Sequence, residues 1–197
     1  IAMNIMLAPT LLSISTFVVL ACSSTNLLAG DDVNERQDVD PLGIVSIKNI
    51  RGELEVLGWG NDEVSVEGEL DDLTEAFIFR VSGTKTKIEV QIPRHNVNWG
   101  DGSDLVIRVP FGSRVSFSGI STDTRFKDIQ GGLRAESVSG EIDAENIQKA
   151  LIIKSVSGDI EIRQASGNAR VSTVSGEMDL EIRGDSLDLK SISGDIE

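Results

Sequence analysis

The chain of 197 residues carries 18 Lys and Arg against 32 Asp and Glu, a formal net charge of −14 and a pI near 4.4. Such a charge repels nucleic acid and anionic membrane surfaces, and 4% aromatic content with no Tyr leaves few side chains to stack on bases or sugar rings. One Cys and one His argue against a disulfide framework, a Cys/His zinc site and a Cys-His catalytic pair.

The first element in chain order is an uncharged apolar run from Ile5 to Ala21, followed by small polar residues. It is short for a membrane span and reads as an export signal. Two processing patterns compete. "LLAG" places a signal-peptidase cut after Ala29, making residues 1–29 the signal peptide, whereas "VLAC" resembles a lipobox with Cys22 as the lipidated residue. A retained helical anchor is the third reading. No Lys or Arg precedes the run, and the first charge is Asp31, which departs from both processing patterns. The expected location is the periplasm, the outer membrane or the cell surface, with the membrane touched only through a lipid anchor.

Residues 30–114 read as a β-rich N-terminal section. "VSIKNIRGELEV" (Val45 to Val56) alternates apolar and polar residues around Gly52 and reads as a first coil. "EVSVEGEL", "AFIFRVSGTKTKIEVQI" and "DLVIRVP" alternate as strands, with "SGTK" as a hairpin turn. Residues 115–197 are periodic. Gly140, Gly158, Gly176 and Gly194 recur every 18 residues, with Thr122 in the same column. Val115, Leu133, Leu151, Ala169 and Leu187 form one apolar column, and Phe117, Ala135, Ile153, Val171 and Leu189 another. Each repeat therefore predicts strand, bend at Ser-Gly, strand, loop. Two short strands bury nothing alone, so stacking is required: an all-β, parallel β-solenoid (β-helix) of 18-residue coils, the last one incomplete. The Gly column is expected at a tight bend with positive φ. The Ser column at 121, 139, 157, 175 and 193 reads as turn chemistry with a hydroxyl ladder rather than as nucleophiles.

The combination of "NIRGELEVLGWGNDEVSVEGEL", "DLVIRVPFGSRV" and the "SVSGDIEI" units resembles a bacterial "putative adhesin" family, a domain of unknown function, across residues 33–197. The resemblance implies an exported β-solenoid and no particular ligand. Thr122 in the Gly column is a departure from the repeat.

Asp123, Glu141, Asp159, Glu177 and Asp195 form an acidic column whose carboxylates would stand about 5 Å apart up the stack. At that spacing neighbours repel by about 1 kcal/mol in water, which a divalent cation could relieve. Asp159 and Glu177 in the column, and Asp101 and Asp104 in the loop "NWGDGSD", are the calcium candidates, against a plain reading as solvated face and turn. The calcium-binding nonapeptide of secreted β-rolls is absent. His95 has no companion ligand, and Trp59 in "GWGND" is expected to pack over the end of the core. No cofactor is implied. Uniform columns are what stacking demands and not what a catalytic cleft demands. The expected function is therefore a non-enzymatic, adhesin-like interaction or scaffolding module contacting a protein or glycan at the cell envelope; the alternative is a periplasmic polysaccharide-binding or polysaccharide-active β-helix. Glu197 falls inside the second strand of its coil, so the natural protein is expected to continue to a cap, or a partner chain to add edge to edge.

Overall fold

The computed structural model describes residues 30, 32–93, 101–184 and 186–197. The export segment 1–29 with Cys22, and residues 94–100 with His95 and Trp99, lie outside the described residues. Sixteen strands and no helix occur among the described residues, in two eight-stranded sheets.

In spatial order the first sheet is β1 (Asp32–Asp38), β4 (Glu63–Glu69), β7 (Ser103–Pro110), β3 (Arg51–Trp59), β9 (Ser121–Lys127), β11 (Ile142–Glu145), β13 (Ile160–Ser166) and β15 (Met178–Arg183). The second is β5 (Ala76–Ser82), β6 (Lys85–Gln91), β2 (Ile44–Lys48), β8 (Arg114–Ser118), β10 (Leu133–Glu136), β12 (Leu151–Lys154), β14 (Ala169–Ser175) and β16 (Leu187–Ser193). Pairing is parallel except at one end, where β1, β4 and β5 run antiparallel to their neighbours.

The registers follow from the apolar columns. Leu133 pairs with Val115 and with Leu151, and Leu151 with Ala169. Val45 pairs with Val115 and Ile47 with Phe117, so the segment read as a first coil stacks directly on the first regular repeat. Spatial order then departs from chain order. β4 and β5 run to the far end, and β6 and β7 return between that end and β2–β3. The boundary at 114/115 falls inside β8, which pairs with β2 on one side and β10 on the other, so the second sheet runs through it unbroken. "SGTK" forms the expected turn: Ser82 pairs with Lys85, with Gly83 at φ 57°.

Alternate residues of both sheets point inward and meet in one core. Phe117 and Phe126 pack edge to face across it at 5.8 Å, and Ile142, Ile153, Ile160 and Val171 are fully buried. At the bend the polarity inverts. Ser137, Ser155 and Thr173 are buried, whereas Ile120, Val138, Val156, Val174 and Ile192 are 42–81% exposed. A tight inner corner admits only small side chains, so the next residue turns outward whatever its chemistry. Thr122 fits the Gly column because its φ is not positive; β9 already begins at Ser121, and the Thr122 hydroxyl donates to the Asn49 carbonyl at 3.4 Å.

A second periodic corner was not read from the sequence. Asp128, Asn146 and Gln164 all have positive φ, and Asn146 Nδ2 donates to Asp128 Oδ1 at 2.5 Å. Asp and Asn tolerate this conformation through short polar side chains. At Gln164 the ladder shifts by one residue, with Ile162 opposite Leu180 but Ala165 opposite Ile182.

Candidate functional site

The outer face of the first sheet collects the acids. Register places Glu53 between Asp104 and Asp123, and the row continues through Glu141, Asp159 and Glu177. The adjacent row runs Val106, Glu55, Arg125, Asp143, Glu161 and Asp179. An open cavity of about 240 Å³ lies over the two rows, lined by Glu53, Glu55, Asp104, Asp123, Glu141 and Asp143 among others.

Backbone hydrogen bonds temper the repulsion. Asp123 Oδ1 accepts from the Glu141 amide at 2.8 Å, and Asp159 Oδ1 from the Glu177 amide at 2.9 Å. The Asp members of the column thus hold the next coil's backbone. The flanking rows carry cations of their own, which pair with acids of those same rows. Arg125 reaches Asp143 Oδ2 at 3.1 Å, Arg163 reaches the same oxygen at 3.4 Å and Glu161 at 2.7 Å, and Lys127 meets Glu145 at 3.2 Å. Asp143 is the buried member, and its Oδ1 has no hydrogen-bond partner. The Asp143 charge raises the pKa of Arg163, against a smaller opposing effect of burial.

A second cavity of about 300 Å³ holds Asp101 and Asp104 with Glu53, Glu69 and Asp72. Its floor is the contact of Gly52 and Gly102, where a Cβ on Gly102 would lie 2.5 Å from the Gly52 Cα. Beside it, Arg51 grips Asp71 with two guanidinium nitrogens, Nη2 donating to Oδ1 at 3.0 Å and Nε to Oδ2. Burial pushes the Asp71 carboxyl up, but the Arg51 hydrogen bond and the Leu73 amide outweigh it and hold the group below the usual carboxylate range. The Asp71 amide donates to Ser103 Oγ at 3.0 Å. This pair therefore ties the 70–75 loop to the starts of β3 and β7, a structural duty.

Of the sequence-derived candidates, Asp101 and Asp104 come together, and Asp104 also joins the acidic row, while Asp159 and Glu177 lie further along it. Among the described residues no three His, Cys, Asp or Glu side chains are arranged to hold a metal ion. Glu53 was legible, since Gly52 in the Gly column puts it in the acidic column. Glu69, Asp72 and the adjacency of Asp104 were not, because the period breaks there. The serine ladder appears at one rung, Ser121 to Ser139 at 3.1 Å. Trp59 is half-buried, and its indole donates to the Glu63 carbonyl at 2.9 Å, closing the β3–β4 connection.

The family model described as Toastrack DUF4097 matches residues 53–197. No curated protein matches the chain. Two solved structures with similar chain paths are a "putative cell adhesion protein" from Clostridium sporogenes, at 11% identity and TM-score 0.44, covering 84% of this chain and 98% of that one, and a "putative adhesin" from Bacteroides fragilis, at 16% identity and TM-score 0.46, covering 84% and 96%. A "putative lipid binding protein" from Parabacteroides distasonis follows at 12% identity and TM-score 0.28, covering 86% and 99%.

Proposed function

We propose that this chain, which belongs to the Toastrack family, is an exported, non-catalytic β-solenoid of 18-residue coils that serves as an adhesin-like scaffold at the cell envelope. The observation that carries this reading is the acidic row from Asp104 through Glu53, Asp123 and Glu141 to Glu177 along the first sheet. It is continuous and set by register, so it matches an extended partner better than a small molecule. Its charge selects a protein or glycan surface bearing cations or hydroxyl groups.

The rows beside it favour recognition over chemistry. Arg125, Arg163 and Lys127 are engaged by Asp143, Glu161 and Glu145, so no cation in these rows is left to polarise a substrate. The test is binding of the purified protein to isolated envelope polymers and to a glycan array, with the variant Glu53→Lys/Asp123→Lys/Glu141→Lys alongside. Binding that the triple variant abolishes at unchanged fold supports the reading. Release of reducing sugar from any bound polymer overturns it in favour of a polysaccharide-active enzyme.

A further inference from the structure

Every described Lys and Arg lies within 4.0 Å of a carboxylate except Arg80, Lys85, Arg114 and Lys149. Three of these four gather at one place, by the starts of strands in the second sheet, whereas the acidic row lies on the first. Arg114 and Lys149 line an open cavity of about 370 Å³ at the corner where β2 and β8 begin. Lys85 stands on the neighbouring strand, since Ile44 pairs with Lys85 on one side and Arg114 on the other. In a chain of net charge −14, unneutralised cations side by side are the exception.

The same cavity holds exposed apolar surface. Leu42 is 76% exposed and Ile44 37%. Leu42 sits on a turn fixed by its own amide donating to Asp40 Oδ1 at 2.9 Å. Backbone forms much of the wall. Gly131 lies so close to the neighbouring turn that a Cβ would fall 2.2 Å from the carbonyl oxygens of Gly112 and Ser113. The hollow is thus built into the chain path, and both cations and aliphatic groups line it.

We propose that this corner binds an anionic amphiphile, its phosphate or carboxylate headgroup between Arg114 and Lys149 and its apolar body on Leu42 and Ile44. Neither half suffices alone. The overall charge opposes free anions in bulk, but screening over about 8 Å at physiological salt leaves the local cations to decide within the cavity. An exposed cation and a newly covered Leu each contribute about ten-fold in affinity, so a ligand needs both to bind usefully. The site is separate from the acidic row and stands or falls independently of the scaffold reading.

The test is titration of the whole protein with dihexanoyl phosphatidylglycerol below its micelle concentration, beside dihexanoyl phosphatidylcholine and sodium phosphate. Saturable binding of the anionic lipid, at least ten-fold tighter than either control, is expected. Arg114→Ser/Lys149→Ser should abolish it, Leu42→Ser should weaken it about ten-fold, and Asp123→Asn on the opposite sheet should leave it unchanged, all with unaltered melting curves. Equal affinity for the two lipids, equal affinity for phosphate alone, or binding retained by the double variant overturns the proposal.

Discussion

Replacing Gly158 by Ala tests how the coils are held apart. Gly158 has φ 137°, and a Cβ there would sit 2.2 Å from the Gly140 carbonyl oxygen and 3.1 Å from its nitrogen. The same contact recurs up the stack, at 2.3 Å for Gly176 on Gly158 and 2.1 Å for Gly194 on Gly176. Positive φ alone costs a non-Gly residue roughly 1–2 kcal/mol. The overlap adds more, because its partner is backbone and cannot swing aside. Relief requires the coils to part by about 1 Å, against ladder bonds that each contribute about 1 kcal/mol. The total for Gly158→Ala is about 3–5 kcal/mol, a large share of a typical domain's stability. Gly83 is the control: φ 57°, with nothing within 4 Å of an added Cβ. Gly83→Ala should cost about 1 kcal/mol. Urea denaturation followed by far-ultraviolet circular dichroism measures both. Equal losses would show that the column answers only to backbone torsion and that the close stacking of bends carries no energy.

Glu89 is almost buried between Lys48 at 3.1 Å and Lys87 at 2.6 Å, and its hydrogen bond from Lys87, helped by Lys48 and opposed by burial, lowers its carboxyl to about 2. A depressed folded pKa means stability that is present above the unfolded value and lost as pH falls toward 2; Glu89→Gln should cost about 1–3 kcal/mol at pH 7 and nothing near pH 2, read from urea midpoints across pH. Ile153→Ala removes a fully buried side chain and should destabilise by about 2–5 kcal/mol in the same assay. Asp123→Ala loses the acceptor for the Glu141 amide and should cost about 1 kcal/mol, whereas Asp123→Asn keeps an acceptor, relieves row repulsion and should be neutral or slightly stabilising. Fractionation of the natural host should find the chain outside the cytoplasm, and Cys22→Ser should abolish lipid labelling if the lipobox is used.

What the sequence disclosed depended on whether a residue's surroundings repeat. Leu133, Leu151 and Ala169 each meet a copy of themselves, so one spacing fixed their register, and the same frame carried back to Val45 and Ile47. It did not reach β6 and β7. Their neighbours are set by a chain reversal through β4 and β5, and nothing in a local pattern says that β7 will lie beside β3. Asp104 therefore read as a loop acid although Glu53 is its partner. The outward Val138 and Val156 were legible as a column but not as exposed, because period-2 alternation fails where a bend turns two successive residues. The Asp128, Asn146, Gln164 corner carried a weak signal, three polar residues at the repeat spacing, and Ile182 breaks it where the ladder itself slips.

The distribution of cations is the physical key to the surface. A repeat that stacks like on like must place an acid beside an acid in every column it gives to acids, and neutralisation must come from columns that mix the two signs. Arg125, Lys127 and Arg163 do this for Asp143, Glu145 and Glu161, and they leave the row from Asp104 to Glu177 as the uncompensated line. The opposite inequality arises at Arg114 and Lys149. There Arg114 opens β8 beside Ile44 and Lys149 lies in the turn before β12, and neither has a carboxylate within 4.0 Å. The acidic line and the cationic corner are thus two consequences of one rule. Cations are paired where register repeats in mixed columns, acids stand without cations where a column is uniform, and cations stand without acids where the repeat is interrupted; the surface free to engage another molecule lies at those failures.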